Sequence, residues 1–356
     1  MSVLDLARPE VRAFTPYASA RRESASRAVM LNANESPWSP AGRGGLNRYP
    51  EPQPATLRER LARLYGVCAG QVLMGRGSDE AIDLLLRAFC RPGRDAVVTC
   101  PPTFGMYAVA AALQGAQVTE VPLSGAGFEL DADAVLAACL ATTKLVFLCS
   151  PNNPTGGVVP LPVVSRLAEA LRGRALVVVD EAYGEFADTP SAASLLGRHD
   201  NLAVLRTLSK AWGLAGARVG CLLADERVVD LLGAIMAPYP LPTPSVDAAL
   251  DVLGGDGEQR MRQRVATLVA ERGRLRRNLA DLPGVREVLP SRANFLAVRF
   301  TDAAATRRRL EAQGIVVRDI TRYPGLDDAL RISIGTPAEN RRLRRALRPD
   351  AAESAA

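Results

Sequence analysis

Between residues 57 and 224 the chain alternates short, wholly apolar runs with longer stretches whose apolar positions recur every three to four residues. The first kind reads as strands buried on both faces, the second as amphipathic helices. Leu57–Tyr65 predicts a helix, and Ala81–Cys90, opened by Ser78-Asp79-Glu80, predicts a second with an acidic, capped start. Strands are expected at Asp95–Cys100, Ala116–Val121, Lys144–Cys149, Ala175–Asp180, Leu202–Arg206 and Val219–Leu223. Helices are expected at Phe104–Leu113, Asp131–Leu140 and Pro162–Leu171. This alternation predicts an α/β fold with a large, mostly parallel sheet covered on both faces. After about residue 245 the pattern changes to a long charged helical run, Asp256–Leu282, then strands near Asn294–Phe300 and Leu330–Ile334 with a helix near Ala303–Gln313 between them. Residues 45–245 are therefore expected to form a large domain, and 1–44 with 246–356 a smaller α+β domain. Prolines 37, 40, 50, 52 and 54 predict an extended connector, and Pro349–Ala356 a frayed tail.

Composition narrows the chemistry. The 356 residues include 44 basic ones, of which Lys144 and Lys210 are the only lysines, and a single histidine, His199. Arginine stays protonated, so almost none of these basic residues can accept a proton. One histidine excludes a multi-histidine metal site within the chain and disfavours a histidine-based triad, so no metal is expected. The net charge of +6 comes from arginine clusters such as Arg307–Arg309 and Arg341–Arg345. They sit in helix-like runs without interleaved aromatics and read as solvated faces, so no nucleic acid is expected. The six cysteines show no CxxC pair, lie in apolar runs and read as buried thiols of a reducing compartment. No apolar stretch suggests a membrane span or a signal peptide, and the cytoplasm is the expected location.

Four short segments carry candidate chemistry, each ending a predicted strand or opening a helix, where ligands of open α/β sheets bind. Gly75-Arg76-Gly77-Ser78-Asp79 offers backbone N–H groups for a phosphate, although alone it reads better as a capped turn. Asn152-Asn153-Pro154-Thr155-Gly156 presents the Asn153 amide after a strand. Asp180-Glu181-Ala182-Tyr183 puts a carboxylate at the end of an apolar strand, where it wants a cation; alone it equally reads as a cap. Thr207-Leu208-Ser209-Lys210 holds one of the two lysines, with Arg218 eight residues on. A retained lysine in an arginine-rich chain suggests chemistry that needs a primary amine, such as imine formation. Lys144, at a strand start, needs no special reason. Together the segments fit pyridoxal 5′-phosphate. Lys210 would form a Schiff base with its aldehyde, and Asp180 would pair with its ring nitrogen. Asn153 and Tyr183 would hold the ring oxygen, and Ser78, Asp79, Thr207, Ser209 and Arg218 the phosphate, with Phe104 stacked on the ring.

These motifs resemble those of the class I/II aminotransferases, pyridoxal-phosphate enzymes of fold type I. More narrowly, they resemble the histidinol-phosphate aminotransferase family. The resemblance runs from Asn32-Ala33-Asn34-Glu35 through Arg48-Tyr49-Pro50, Cys100–Tyr107, the Asn-Pro-Thr-Gly turn and the Lys210 segment to Arg331–Thr336. It implies a transaminase of histidine biosynthesis acting on a phosphorylated amino alcohol and a 2-oxo acid. It also implies a homodimer with shared active sites, in which Tyr49 reaches the partner's cofactor phosphate. Arg331 would bind substrate anions with help from Arg318 and Tyr17. Two neighbouring activities on the same scaffold, threonine-phosphate decarboxylation and aromatic amino-acid transamination, stay open. Phe104 stands where some relatives have tyrosine, and Trp212 where phenylalanine is common; Trp212 reads as packing.

Overall fold

The computed structural model describes residues 2–15, 29–40 and 44–348. Its strands are β1 (Val72–Gly75), β2 (Ala96–Thr99), β3 (Gln117–Glu120), β4 (Thr143–Cys149), β5 (Leu176–Asp180), β6 (Leu202–Thr207), β7 (Gly220–Ala224), β8 (Val285–Val288), β9 (Phe295–Phe300), β10 (Arg318–Asp319) and β11 (Ala329–Ser333). The helices of the first part are α1 (Pro9–Arg12), α2 (Ala55–Tyr65), α3 (Ser78–Phe89), α4 (Met106–Gln114), α5 (Ala132–Ala138), α6 (Leu161–Ala170) and α7 (Glu226–Ile235). They are followed by α8 (Thr243–Leu253), α9 (Gly257–Ala280), α10 (Ala303–Ala312) and α11 (Pro337–Ala346).

Strands β1 to β7 form one sheet in the order β1-β7-β6-β5-β4-β2-β3. Only β7 runs against its neighbours. The apolar runs are explained by the two cores that this sheet separates. Along β5, Val177 and Val179 pack into one core with Val164 and Leu167 of α6. Leu176 and Val178 pack into the other with Leu85 and Phe89 of α3. A strand dry on both faces has no polar alternation to display. Each fully buried Val or Leu contributes about 1.5–3 kcal/mol, so the central strands anchor the unit.

The second sheet is antiparallel, ordered β10-β11-β9-β8. Its core joins Leu296 and Val298 of β9 and Leu330 and Ile332 of β11 to Leu275 and Leu279 of α9 and Leu343 of α11. These elements make a smaller α+β unit in the C-terminal part of the chain. The N-terminal residues differ from expectation. Val3, Leu6 and Ala7 pack in the large-sheet core beside α3 and α7 rather than against the second sheet. Cys68 is exposed, whereas the other five cysteines are buried. Among the described residues, no helix is long and apolar enough to cross a membrane.

Candidate active site

Parallel strands end together, so the turns after β2, β4, β5 and β6 share one edge of the large sheet. There they surround an open cleft of about 570 Å³ lined by Phe104, Asn153, Asp180, Tyr183, Lys210 and the start of α3.

One end of the cleft is built for an anion. Gly77 precedes α3 with φ 82°, and Ser78 is the first helical residue rather than the cap. The first N–H groups of α3 have no partner within the helix, and its dipole favours negative charge. Thr207 Oγ1 accepts the Ser209 N–H at 3.1 Å and donates to Ser209 Oγ at 2.9 Å. Arg218, held in the left-handed region at φ 55°, places Nη1 3.4 Å from Ser209 Oγ. A Cβ on Gly77 would lie 2.7 Å from Arg218 Nη2, and a Cβ on Gly220 would lie 2.7 Å from the Gly77 backbone. Both glycines are therefore needed to bring the guanidinium and the helix start together. The Asp79 carboxylate is turned to Arg218 at 3.2 Å. A carboxylate repels phosphate, so Asp79 would serve an anion only through its backbone N–H.

The other end is acidic and dry. Asp180 is 2% exposed. Its Oδ2 accepts the Tyr107 hydroxyl at 2.8 Å and its Oδ1 the Ala182 N–H at 3.0 Å. Among the described residues no cation pairs with it, and burial pushes its pKa up to about 6. A buried carboxylate with hydrogen bonds but no counter-ion is poised for a cationic ligand group.

Between the two ends stands Lys210. It is exposed to the open cleft, with Nζ 5.5 Å from the centre of the Tyr183 ring. The surrounding protein disfavours its ammonium, and the nearby Arg331 charge adds to this, so its pKa falls below the usual lysine value. Tyr183 packs edge-on against Phe295 of β9 at 5.1 Å. Arg331 of β11 donates to the Asn153 Oδ1 and lies 5.3 Å from the Phe295 ring, so the second sheet delivers a guanidinium to the cleft. Arg318 is exposed and directly opposite Arg331 in the β10–β11 register, which puts both on one face of that sheet. Tyr49 lies outside the cleft lining, stacked on Tyr239 at 4.5 Å. Tyr17 falls outside the described residues. Trp212 is buried in the large-sheet core, as its packing role requires.

Tyr107 closes the Cys100–Tyr107 motif but has no role in the sequence reading, although it holds Asp180. Its ring stacks on Phe147 at 4.8 Å and meets Phe104 edge-on at 5.6 Å. The available signal is a tyrosine among small apolar residues of a helix, whose hydroxyl needs a partner once buried.

A ligand fitted to this cleft needs a cationic or protonated group at Asp180, a phosphate-like anion at α3 and a centre that reacts with an amine. Pyridoxal 5′-phosphate has all three, and the donors present suit each of them. The chemistry agrees with the family assignment: the sequence profile of the family Aminotransferase class I and II matches residues 17–347, and the chain belongs to that family. Among its relatives is a histidinol-phosphate aminotransferase of Stenotrophomonas maltophilia (strain R551-3), 56% identical over 350 residues, covering 97% of this chain and 96% of the relative. Among solved structures, the histidinol-phosphate aminotransferase from Sinorhizobium meliloti in complex with pyridoxal-5′-phosphate has a TM-score of 0.77 and 29% identity, covering 88% of each chain. The L-threonine-O-3-phosphate decarboxylase from Porphyromonas gingivalis has a TM-score of 0.73 and 25% identity, covering 85% of this chain and 90% of that one.

Proposed function

We propose that this chain is a pyridoxal-phosphate-dependent aminotransferase that moves the amino group of histidinol phosphate to 2-oxoglutarate. The products are imidazole-acetol phosphate and glutamate, a step of histidine biosynthesis. The observation that carries the reading is the convergence of Lys210, a cation-seeking Asp180 and an anion cradle in one cleft. The 56% identity to a histidinol-phosphate aminotransferase over 97% of this chain supports the substrate.

Bound pyridoxal phosphate supplies an aldehyde that reacts with primary amines and a ring that withdraws electrons when its nitrogen is protonated. Asp180 would hold that nitrogen protonated. Tyr183 and Asn153 would donate to the ring oxygen, Phe104 would cover one ring face, and Ser78, Thr207, Ser209 and Arg218 would bind the phosphate. Lys210 Nζ, with its proton loosened, would take a proton from the substrate carbon that bears the amine and pass it on within that half of the cycle, and in the reverse half it would deliver one to the matching carbon of the oxo acid. Its position in the cleft lets one amine act both as the cofactor's anchor and as the base. Arg331, with Arg318 beside it on the sheet and Tyr17, would bind the substrate's phosphate or carboxylate; a guanidinium fork suits both anions.

The reading also includes a cytoplasmic homodimer, with Tyr49 serving the cofactor phosphate of the other subunit. Tyr49 is 48% exposed and lies outside the cleft lining, which supports this.

A half-reaction screen tests the proposal. The enzyme, loaded with cofactor and without an oxo acid, is mixed in turn with histidinol phosphate, threonine phosphate and phenylalanine. Histidinol phosphate is expected to bleach the visible absorbance and to yield imidazole-acetol phosphate by mass spectrometry. Release of CO₂ from threonine phosphate, or faster bleaching by phenylalanine, would overturn the substrate assignment.

A further inference from the structure

Outside the cleft lining, the strands that lead to Tyr183 and Lys210 share a buried charge cluster. Arg206, the last residue but one of β6, is 6% exposed. Its Nη1 donates to Glu181 Oε2 at 2.6 Å and its Nη2 to Glu185 Oε1 at 2.7 Å. Glu181 also accepts the Ala192 N–H at 2.6 Å and the Ser191 hydroxyl at 2.5 Å. The guanidinium lies 4.7 Å from the centre of the Tyr65 ring.

Stability does not account for such a cluster. Desolvation offsets much of the Coulomb gain of a buried ion pair, and apolar replacements are often equally stable. What a planar fork with two carboxylates does fix is geometry. Glu181 follows Asp180 directly, and Glu181 and Glu185 lie on either side of Tyr183 in sequence. Between them the backbone passes so close that a Cβ on Gly184 would lie 2.5 Å from Arg206 Nη1. On the other strand, Arg206 is followed by Thr207, whose Oγ1 accepts the Ser209 N–H at 3.1 Å, and Lys210 comes next. The backbone ties the start of the Tyr183 turn to β6 as well, where the Glu181 N–H donates to the Leu205 carbonyl at 3.0 Å.

We infer that Arg206 is a positioning residue. By bridging Glu181 and Glu185 it fixes the turn bearing Tyr183 against the turn bearing Lys210, and so acts through those two residues. The inference rests on the reading of Lys210 as the reacting amine. Displacing a reacting group by about 1 Å can cost a hundredfold in rate, so a fixed spacing here has a kinetic consequence.

Arg206→Lys keeps the charge but replaces the fork with a point donor. The test loads wild type and variant with pyridoxal phosphate and records visible-region circular dichroism per bound cofactor, with no substrate present. It then measures kcat and KM for the amino donor. The variant is expected to lose about half of the dichroism and at least about tenfold in kcat, with KM changed by less than about threefold. Glu185→Gln, a milder change, is expected to shift both readouts in the same direction and decides the matter should Arg206→Lys fail to fold. Wild-type dichroism and kcat in the folded variants, even with a lowered melting temperature, would overturn the inference. The dichroism needs no substrate, so a wrong choice of amino donor leaves this test intact. Failure of borohydride to fix the cofactor on Lys210 of the wild type would instead overturn the underlying reading, and this inference with it.

Discussion

The two lysines of the chain stand in different surroundings. Lys210 lies in the cleft, beyond the end of β6 and beside the Thr207 and Ser209 hydroxyls. Lys144, half-buried at the start of β4, lines no part of that cleft. The contrast makes a paired prediction. Lys210→Arg keeps the charge but lacks an amine that can lose its proton, so activity should fall at least about a thousandfold. Lys144→Arg should leave it within about twofold. Borohydride reduction followed by mass spectrometry should find the cofactor fixed to a peptide containing Lys210 in the parent and in Lys144→Arg, and none in Lys210→Arg. Lys210 is legible in the sequence because a chain that uses arginine almost everywhere keeps a lysine there. Asp180 is legible as a strand-end carboxylate, but its electrostatic state is not, because burial and the Tyr107 hydrogen bond are tertiary. Its pKa rises from 3.8 to about 6 mainly through burial. In that window the folded state without cofactor binds the proton more tightly than the unfolded chain. Its stability therefore falls as pH rises through the window, by about 3 kcal/mol in total, and does not recover above it. Asp180→Asn removes the titration. Urea unfolding of the cofactor-free proteins should find the variant more stable than the parent at pH 7.5, with the difference closing as the pH falls toward 4. A difference independent of pH would contradict this.

At the scale of elements, the long periodic helices and the dry central strands are visible in the sequence because each repeats its pattern over several residues. The two-residue strand β10 is too short to display a period, and the N-terminal turn gives no sign of which core it joins. Nor can the sequence say that β7 presses against the start of α3, although its Gly220 makes that contact possible. Val219-Gly220 reads as an ordinary strand start, yet a Cβ there would lie 2.7–2.8 Å from the Gly77 backbone and the Ser78 nitrogen. Backbone cannot yield as a flexible side-chain end can, so Gly220→Ala should push the helix start away from Arg218. The expected cost is about 1–3 kcal/mol of stability. Cofactor affinity should also drop by at least about tenfold, because the displaced N–H groups are those proposed to bind the phosphate. Fluorescence titration of the cofactor-free variant measures the affinity and thermal unfolding the stability. An Ala variant that loses stability but binds cofactor as tightly as the parent would show that this contact does not shape the cradle.

For the whole molecule, the cleft depends on pieces that are distant along the chain. Arg331 arrives from the second sheet, 178 residues beyond the Asn153 it contacts. Tyr49 is not among the residues that line the cleft of its own chain; it is 48% exposed and stacked on Tyr239. A tyrosine that serves the other subunit's cofactor would stand in such a place, and mixing variants tests the idea directly. Lys210→Ala lacks the reacting amine, and Tyr49→Ala would lack the donor given to its partner. Each should be weakly active alone at limiting cofactor. After dissociation and random reassociation of equal amounts, half of the dimers are mixed. In each mixed dimer one site has lost both groups, and the other combines an intact Lys210 with an intact Tyr49. The mixture should therefore recover about a quarter of parental activity, a value set by the two-fold symmetry of the exchange rather than by any rate constant. If Tyr49 serves the cleft of its own chain, no mixed site has both groups and activity stays at the average of the two variants. Sedimentation of the mixture should give a single species at twice the 37.9 kDa of one chain. Recovery of a quarter of the activity in that species requires sites built from two subunits.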